Sequence, residues 1–161
     1  MANPELAVYT EAHLILCEIV VGQTRLSDFI NEPSASFIEL VNATWQDLLS
    51  EDGSPSYSAK MTIRKDEIQL AYPMDQRPVN MVRVNTQQFP VELSVSLFEV
   101  AGVIHRRPND PTNLMQLVTG YGRQFVPVTD AAFRYIPNAK FDGQVPTVLV
   151  NSKHVRFWAS S

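Results

Sequence analysis

Hydrophobic positions along this chain fall into two matching patterns. LSDFINEPSASFIELVNATW (Leu26 to Trp45) and LMQLVTGYGRQFVPVTDAAF (Leu114 to Phe133) align without a gap at a spacing of 88 residues. In each, three apolar residues at helical spacing (Leu26, Phe29 and Ile30; Leu114, Leu117 and Val118) predict a short helix. Thr24 is placed to cap the start of the first, which Pro33 stops after about two turns. Asp110 followed by Pro111 starts the second, and Gly120 is placed to end it. Helices this short must be held by packing their apolar side on a sheet.

A strand follows each helix, Phe37 to Leu48 in the first copy and Gln124 to Ile136 in the second. Ile38 and Leu40 alternate with Glu39, yet Trp45 falls on the opposite parity. The second copy slips the same way, with Val126 and Val128 preceding Phe133. Both slips straddle Asn42-Ala43 or Asp130-Ala131, which predicts a β-bulge or sharp bend there.

The remaining segments read as strands and turns. Residues 6–21 predict two strands meeting near Glu11-Ala12 and ended by Gly22. Glu51 to Pro55 is a turn, and Tyr57 to Ile63 and Ile68 to Tyr72 are strands joined by Arg64-Lys65-Asp66-Glu67. Pro73 to Pro78 (PMDQRP) has the character of a linker. Beyond it VNMVRVNT and PVELSVSLFEVAGVI are extended, and His105 to Pro111 predicts a loop carrying Arg106 and Arg107. Asp142-Gly143 marks a turn, and TVLVN and HVRFW close the chain around Ser152-Lys153. The fold class expected is mainly β: two tandem small barrel or sheet units, 1–75 and 76–161, each with one short helix inserted between strands.

Composition adds charge to this picture. With 45% hydrophobic and 19% charged residues the chain is globular rather than disordered. The net charge of −4 is unevenly divided. Residues 1–75 hold twelve carboxylates against four bases, a net −8, and residues 76–161 hold five against nine, a net +4. The single cysteine, Cys17, lies in an apolar run and reads as a buried, inert thiol. The most apolar run, LILCEIVV, is short and contains Glu18, so no membrane span is expected. Acidic residues precede any base at the N-terminus, the reverse of a signal peptide, and a cytoplasmic location is expected.

MTIRKDEIQLAY resembles the second motif of the Sm-like small barrels, the fold of bacterial Hfq and of the Sm rings. Ile63, Arg64 and Ile68 fit that motif, while Lys65 stands where the family has glycine. Val150, Asn151 and Val155 fill the same places in the second copy. The resemblance implies a five-stranded barrel and single-stranded RNA binding, with Arg64 and Lys65 at the contact. RLSDFIN ahead of an apolar strand also resembles bacterial predicted proteins of unassigned function.

Candidate chemistry is sparse. The glycines form no phosphate-binding loop, since Gly120 and Gly122 follow a helix instead of joining a strand to one. His13, His105 and His154 lack metal-ligand spacing, and no serine sits in a nucleophile elbow. Asp28 in a helical first turn, Glu51-Asp52 and Asp66-Glu67 have structural or solvated roles. No enzyme, cofactor or metal site is therefore expected. Arg106, Arg107 and Arg123 with Tyr121 supply cations for phosphates and a ring for bases, the recipe for single-stranded nucleic acid. Exposed strand edges and units of opposite charge favour a different outcome, a self-associating scaffold joined head-to-tail into a homo-oligomeric ring or filament. A third alternative is a small-molecule binder or enzyme using a groove between the units.

Overall fold

The structure is a computed structural model that describes residues 3–20, 25–50, 53–76 and 87–160. Gly22, Thr24, Glu51-Asp52, the VNMVRVNT segment and the end of the linker lie outside the described residues. The chain divides into two compact units, Met1–Asp75 and Gln76–Ser161.

The first unit contains β1 (Glu5–Tyr9), β2 (His13–Glu18), helix α1 (Leu26–Ile30), β3 (Phe37–Asp47), β4 (Ser56–Arg64), a 3₁₀ turn at Lys65–Glu67 and β5 (Leu70–Pro73). The second repeats that order with β6 (Gln87–Val95), β7 (Phe98–Arg106), α2 (Leu114–Val118), β8 (Phe125–Tyr135), β9 (Gly143–Asn151), a 3₁₀ turn at Ser152–His154 and β10 (Val155–Ser160). One further 3₁₀ turn, Ala139–Phe141, precedes β9. Each unit is thus a mainly β structure with one short helix between its second and third strands. The helices and third strands match residue for residue at the 88-residue spacing.

Within each unit the strands are antiparallel and follow the same order, β5-β1-β2-β3-β4 in the first and β10-β6-β7-β8-β9 in the second. Arg64 pairs with Phe37 at one end of the first sheet, yet Leu70, six residues later, pairs with Tyr9 at the other end. In the second unit Asn151 pairs with Phe125 and Val155 with Val95. Three residues of 3₁₀ helix advance only about 6 Å. The sheet must therefore curl until its two edge strands come together.

The curl is helped by a bend in each third strand. Asn42 (φ 50°) and Asp130 (φ 49°) are left-handed, and the β2–β3 and β7–β8 registers shift beside them. The parity slip in the sequence therefore corresponds to a bulge in both copies. Before it, Ile38 and Leu40 face the core; past it, Ala43 does.

Several local features differ from expectation. The helices span five residues, shorter than two full turns. Asp110 does not cap α2: its carboxylate accepts from the Arg107 N–H at 2.9 Å, and Asn113 is the cap, accepting from Met115 N–H at 2.8 Å. The cap moved because the chain needs one turn, closed by Asp110, to leave β7 before the helix can begin. Arg106 is the last residue of β7, not a loop residue, because Gln87 pairs across from it. Pro73 belongs to β5 and pairs with Leu6. Gly120 does end α2, at φ 78°, with Tyr121 N–H donating to Gln116 O and Gly120 N–H to Leu117 O.

Asp130 is exposed on the strand bend, so its conformation can be tested without disturbing packing. Asp130→Gly should leave the urea midpoint unchanged or raised, and Asp130→Val should cost about 1–2 kcal/mol. A valine variant as stable as the parent would show that the bend does not require a left-handed residue.

Candidate functional site

Two strands present open backbone. Among the described residues β4 pairs with β3 alone and β10 with β6 alone. Most of their residues are exposed, including Tyr57 and Phe157 at 64% and 66%. By contrast, Leu70 and Ala71 of β5 and Val148 to Asn151 of β9 are buried. The Gln76 amide also engages β9, donating to Thr147 O at 2.9 Å and accepting from Thr147 N–H at 2.8 Å. An exposed strand with unpaired N–H and C=O groups is a template for another strand.

On the outer face of the second sheet lies a groove of about 420 Å³. Its floor is a row of paired residues, Ala159, Glu92, Ala101 and Ala132 on β10, β6, β7 and β8. The next row is Phe157, Ser94, Glu99 and Arg134. Arg134 Nη1 donates to Glu99 Oε2 at 3.3 Å. Both side chains are more than half exposed, so this pair contributes little stability. Small floor residues beside Phe157 and the exposed Glu92 leave a trough suited to a long side chain with a cationic end.

The residues singled out from sequence fall in different settings. Arg107 is exposed in the turn after β7, and Tyr121 is 66% exposed in the turn after α2. Arg123, half-buried, follows Tyr121, and its N–H donates to Gly120 O. Arg106 Nε donates to Pro111 O at 3.0 Å and helps hold its own turn. In the first unit the Arg64 guanidinium lies 4.5 Å from the centre of the Phe37 ring, a solvent-facing cation–π contact.

Lys65 is only 3% exposed, and its Nζ donates to Glu32 O at 2.8 Å. It is an internal tie between the 3₁₀ turn and the segment after α1, not a surface contact. Ser152 occupies the equivalent place in the second unit, where its hydroxyl donates to Gln124 O at 2.8 Å. A Cβ on Gly120, the counterpart of Glu32, would collide with Arg123 O and press on Ser152.

Titration reflects burial and local hydrogen bonds. Burial first, then the Glu18 carboxylate, pushes the Cys17 thiol up to about 12. Burial raises Tyr9 and Tyr72, whose hydroxyls are hydrogen-bonded to one another. The backbone N–H and hydroxyl of Ser34 hold Glu32 below the usual carboxylate range, with Lys65 a smaller influence. Among the described residues no three His, Cys, Asp or Glu side chains gather as a metal site, and no helix is long and apolar enough to cross a membrane.

Comparisons with protein-family models, curated proteins and solved structures give no match. Sequence reasoning did not single out Lys60, Glu92 or Phe157. SYSAKMT carries the available signal: it is β-forming, yet it lacks the run of apolar residues that a strand covered on both sides requires.

Stability should be sensitive to alkali. The Cys17 contribution is fully present below the thiol's ordinary value of 9.0 and is lost as pH rises toward about 12. The raised tyrosines act in the same direction. The urea midpoint should fall between pH 8 and pH 11, and Cys17→Ala should make that fall smaller. A midpoint constant over that range would contradict the burial of these groups.

Proposed function

We propose that this chain is a non-enzymatic, self-associating interaction module that assembles head-to-tail. The observation that carries it is the pair of exposed strands, β4 in the first unit and β10 in the second, each with one strand neighbour among the described residues. Two different edges on one molecule make a heterologous contact, which closes as a ring or continues as a filament. The opposite net charges of residues 1–75 and 76–161 support the same polarity, since the acidic unit of one copy attracts the basic unit of the next. Light scattering at low salt should give a mass that is a multiple of 18.1 kDa. The mass should fall toward one chain near 1 M salt, where screening reaches about 3 Å. A single-chain mass at low salt and high protein concentration would overturn the proposal.

Binding of single-stranded RNA is the second reading, favoured by the exposed Tyr121 ring with Arg107 and Arg123 flanking α2. Stacking on Tyr121 implies a loss of about 1–3 kcal/mol on Tyr121→Ala. Filter binding of a short RNA across a salt series, with Tyr121→Ala and Arg107→Ala, tests this. Binding insensitive to salt and to both changes would exclude it.

A further inference from the structure

We infer that β4 of one copy adds to β10 of the next, with Lys60 lying over Ala159 toward Glu92. The inference rests on the self-association reading and specifies its contact.

The outer face of β4 carries Lys60, Thr62 and Arg64, opposite Val41, Glu39 and Phe37 of β3. Lys60 approaches Glu39 only at 4.0 Å, with both side chains well exposed, so little holds it in place. Beyond β10, the outer face of the second unit offers the complement. Glu92 is exposed, and the residue between it and the open edge is Ala159. A strand added to β10 would lie two strand spacings, about 10 Å, from β6. A lysine and a glutamate reaching toward each other close that gap when the intervening residue is an alanine.

Direction and register follow. Every strand pairing within each unit is antiparallel, the arrangement with the slightly stronger ladder. An antiparallel β4 with Lys60 beside Ala159 puts Thr62 beside Phe157, and the regular pairing stops there, because the β10–β6 register shifts between Val155 and Phe157. Thr62 against Phe157 is a β-branched and aromatic pair of the kind that favours sheet formation. Glu92 attracts Lys60, whereas Glu99 is engaged by Arg134 at the far side of the groove. The antiparallel β4–β4 alternative opposes lysines and arginines of two copies and is disfavoured by like charge.

The full-length chain is the material for the test. Lys60→Glu and Glu92→Lys should each weaken association by on the order of tenfold, and the double exchange should restore most of it. Independently, Thr62→Cys combined with Phe157→Cys should give a ladder of disulfide-linked chains on mild oxidation, with Ser58→Cys and Phe157→Cys giving far less. Cys17 is buried and leaves the background low. Association that ignores both charge reversals, or cross-linking equal at the two registers, would overturn this contact while leaving self-association intact. A parent chain that stays single at low salt would remove both.

Discussion

Each unit is governed by one geometric constraint: a short 3₁₀ turn must connect opposite ends of one sheet. Arg64 and Leu70 are six residues apart but pair at different ends of the first unit, and Asn151 and Val155 are four apart in the second. A flat sheet cannot satisfy that. The curl needed places a left-handed residue inside the longest strand and a five-residue helix across the gap between the second and third strands. The buried residues follow from it, with Ile30 from α1 and Leu117 and Val118 from α2 joining the inward-facing strand positions. Burying each such side chain is worth about 1.5–3 kcal/mol.

The same constraint sets what is exposed. A curled five-stranded sheet of this order presents its fourth and fifth strands at the margins. In this chain the exposed ones are β4 and β10, and they carry different chemistry. The outer face of β4 is cationic, while the face next to β10 contains carboxylates, small residues and a phenyl ring. Net charge over whole units therefore gives only the coarse part of the electrostatic picture. On the proposed contact the local signs are reversed, with cations on the acidic unit and carboxylates on the basic one. Complementarity at an interface is decided by rows of side chains more than by unit totals.

Much of the fold was legible in the sequence because its irregularities come in pairs. The parity slip after Leu40 and after Val128 located the bulge, since strand side chains alternate strictly and any break requires an extra residue. Gly120 was legible as a helix terminator because few other residues adopt its backbone conformation cheaply. Asp110 misled because a carboxylate beside proline suits a tight turn as well as a helix start, and pattern alone does not decide between them. Lys65 misled for a different reason: a lysine in a turn is ordinarily solvated, and only the proximity of Glu32, 33 residues away, makes it internal. Exposure of β4 was partly visible in its interspersed polar residues, whereas β10, with Val155, Phe157, Trp158 and Ala159, carried no such sign. Which charges share a face across neighbouring strands depends on register, and register is not written in any one segment.

The joint between the 3₁₀ turn and the segment after each helix has diverged in a coordinated way. One copy spans it with four methylenes and an ammonium; the other closes it with a hydroxyl and a residue lacking a side chain. The two solutions have incompatible volumes. Exchange of either member alone would leave an overfilled or an empty corner, so the halves, though alike in plan, have ceased to be interchangeable parts.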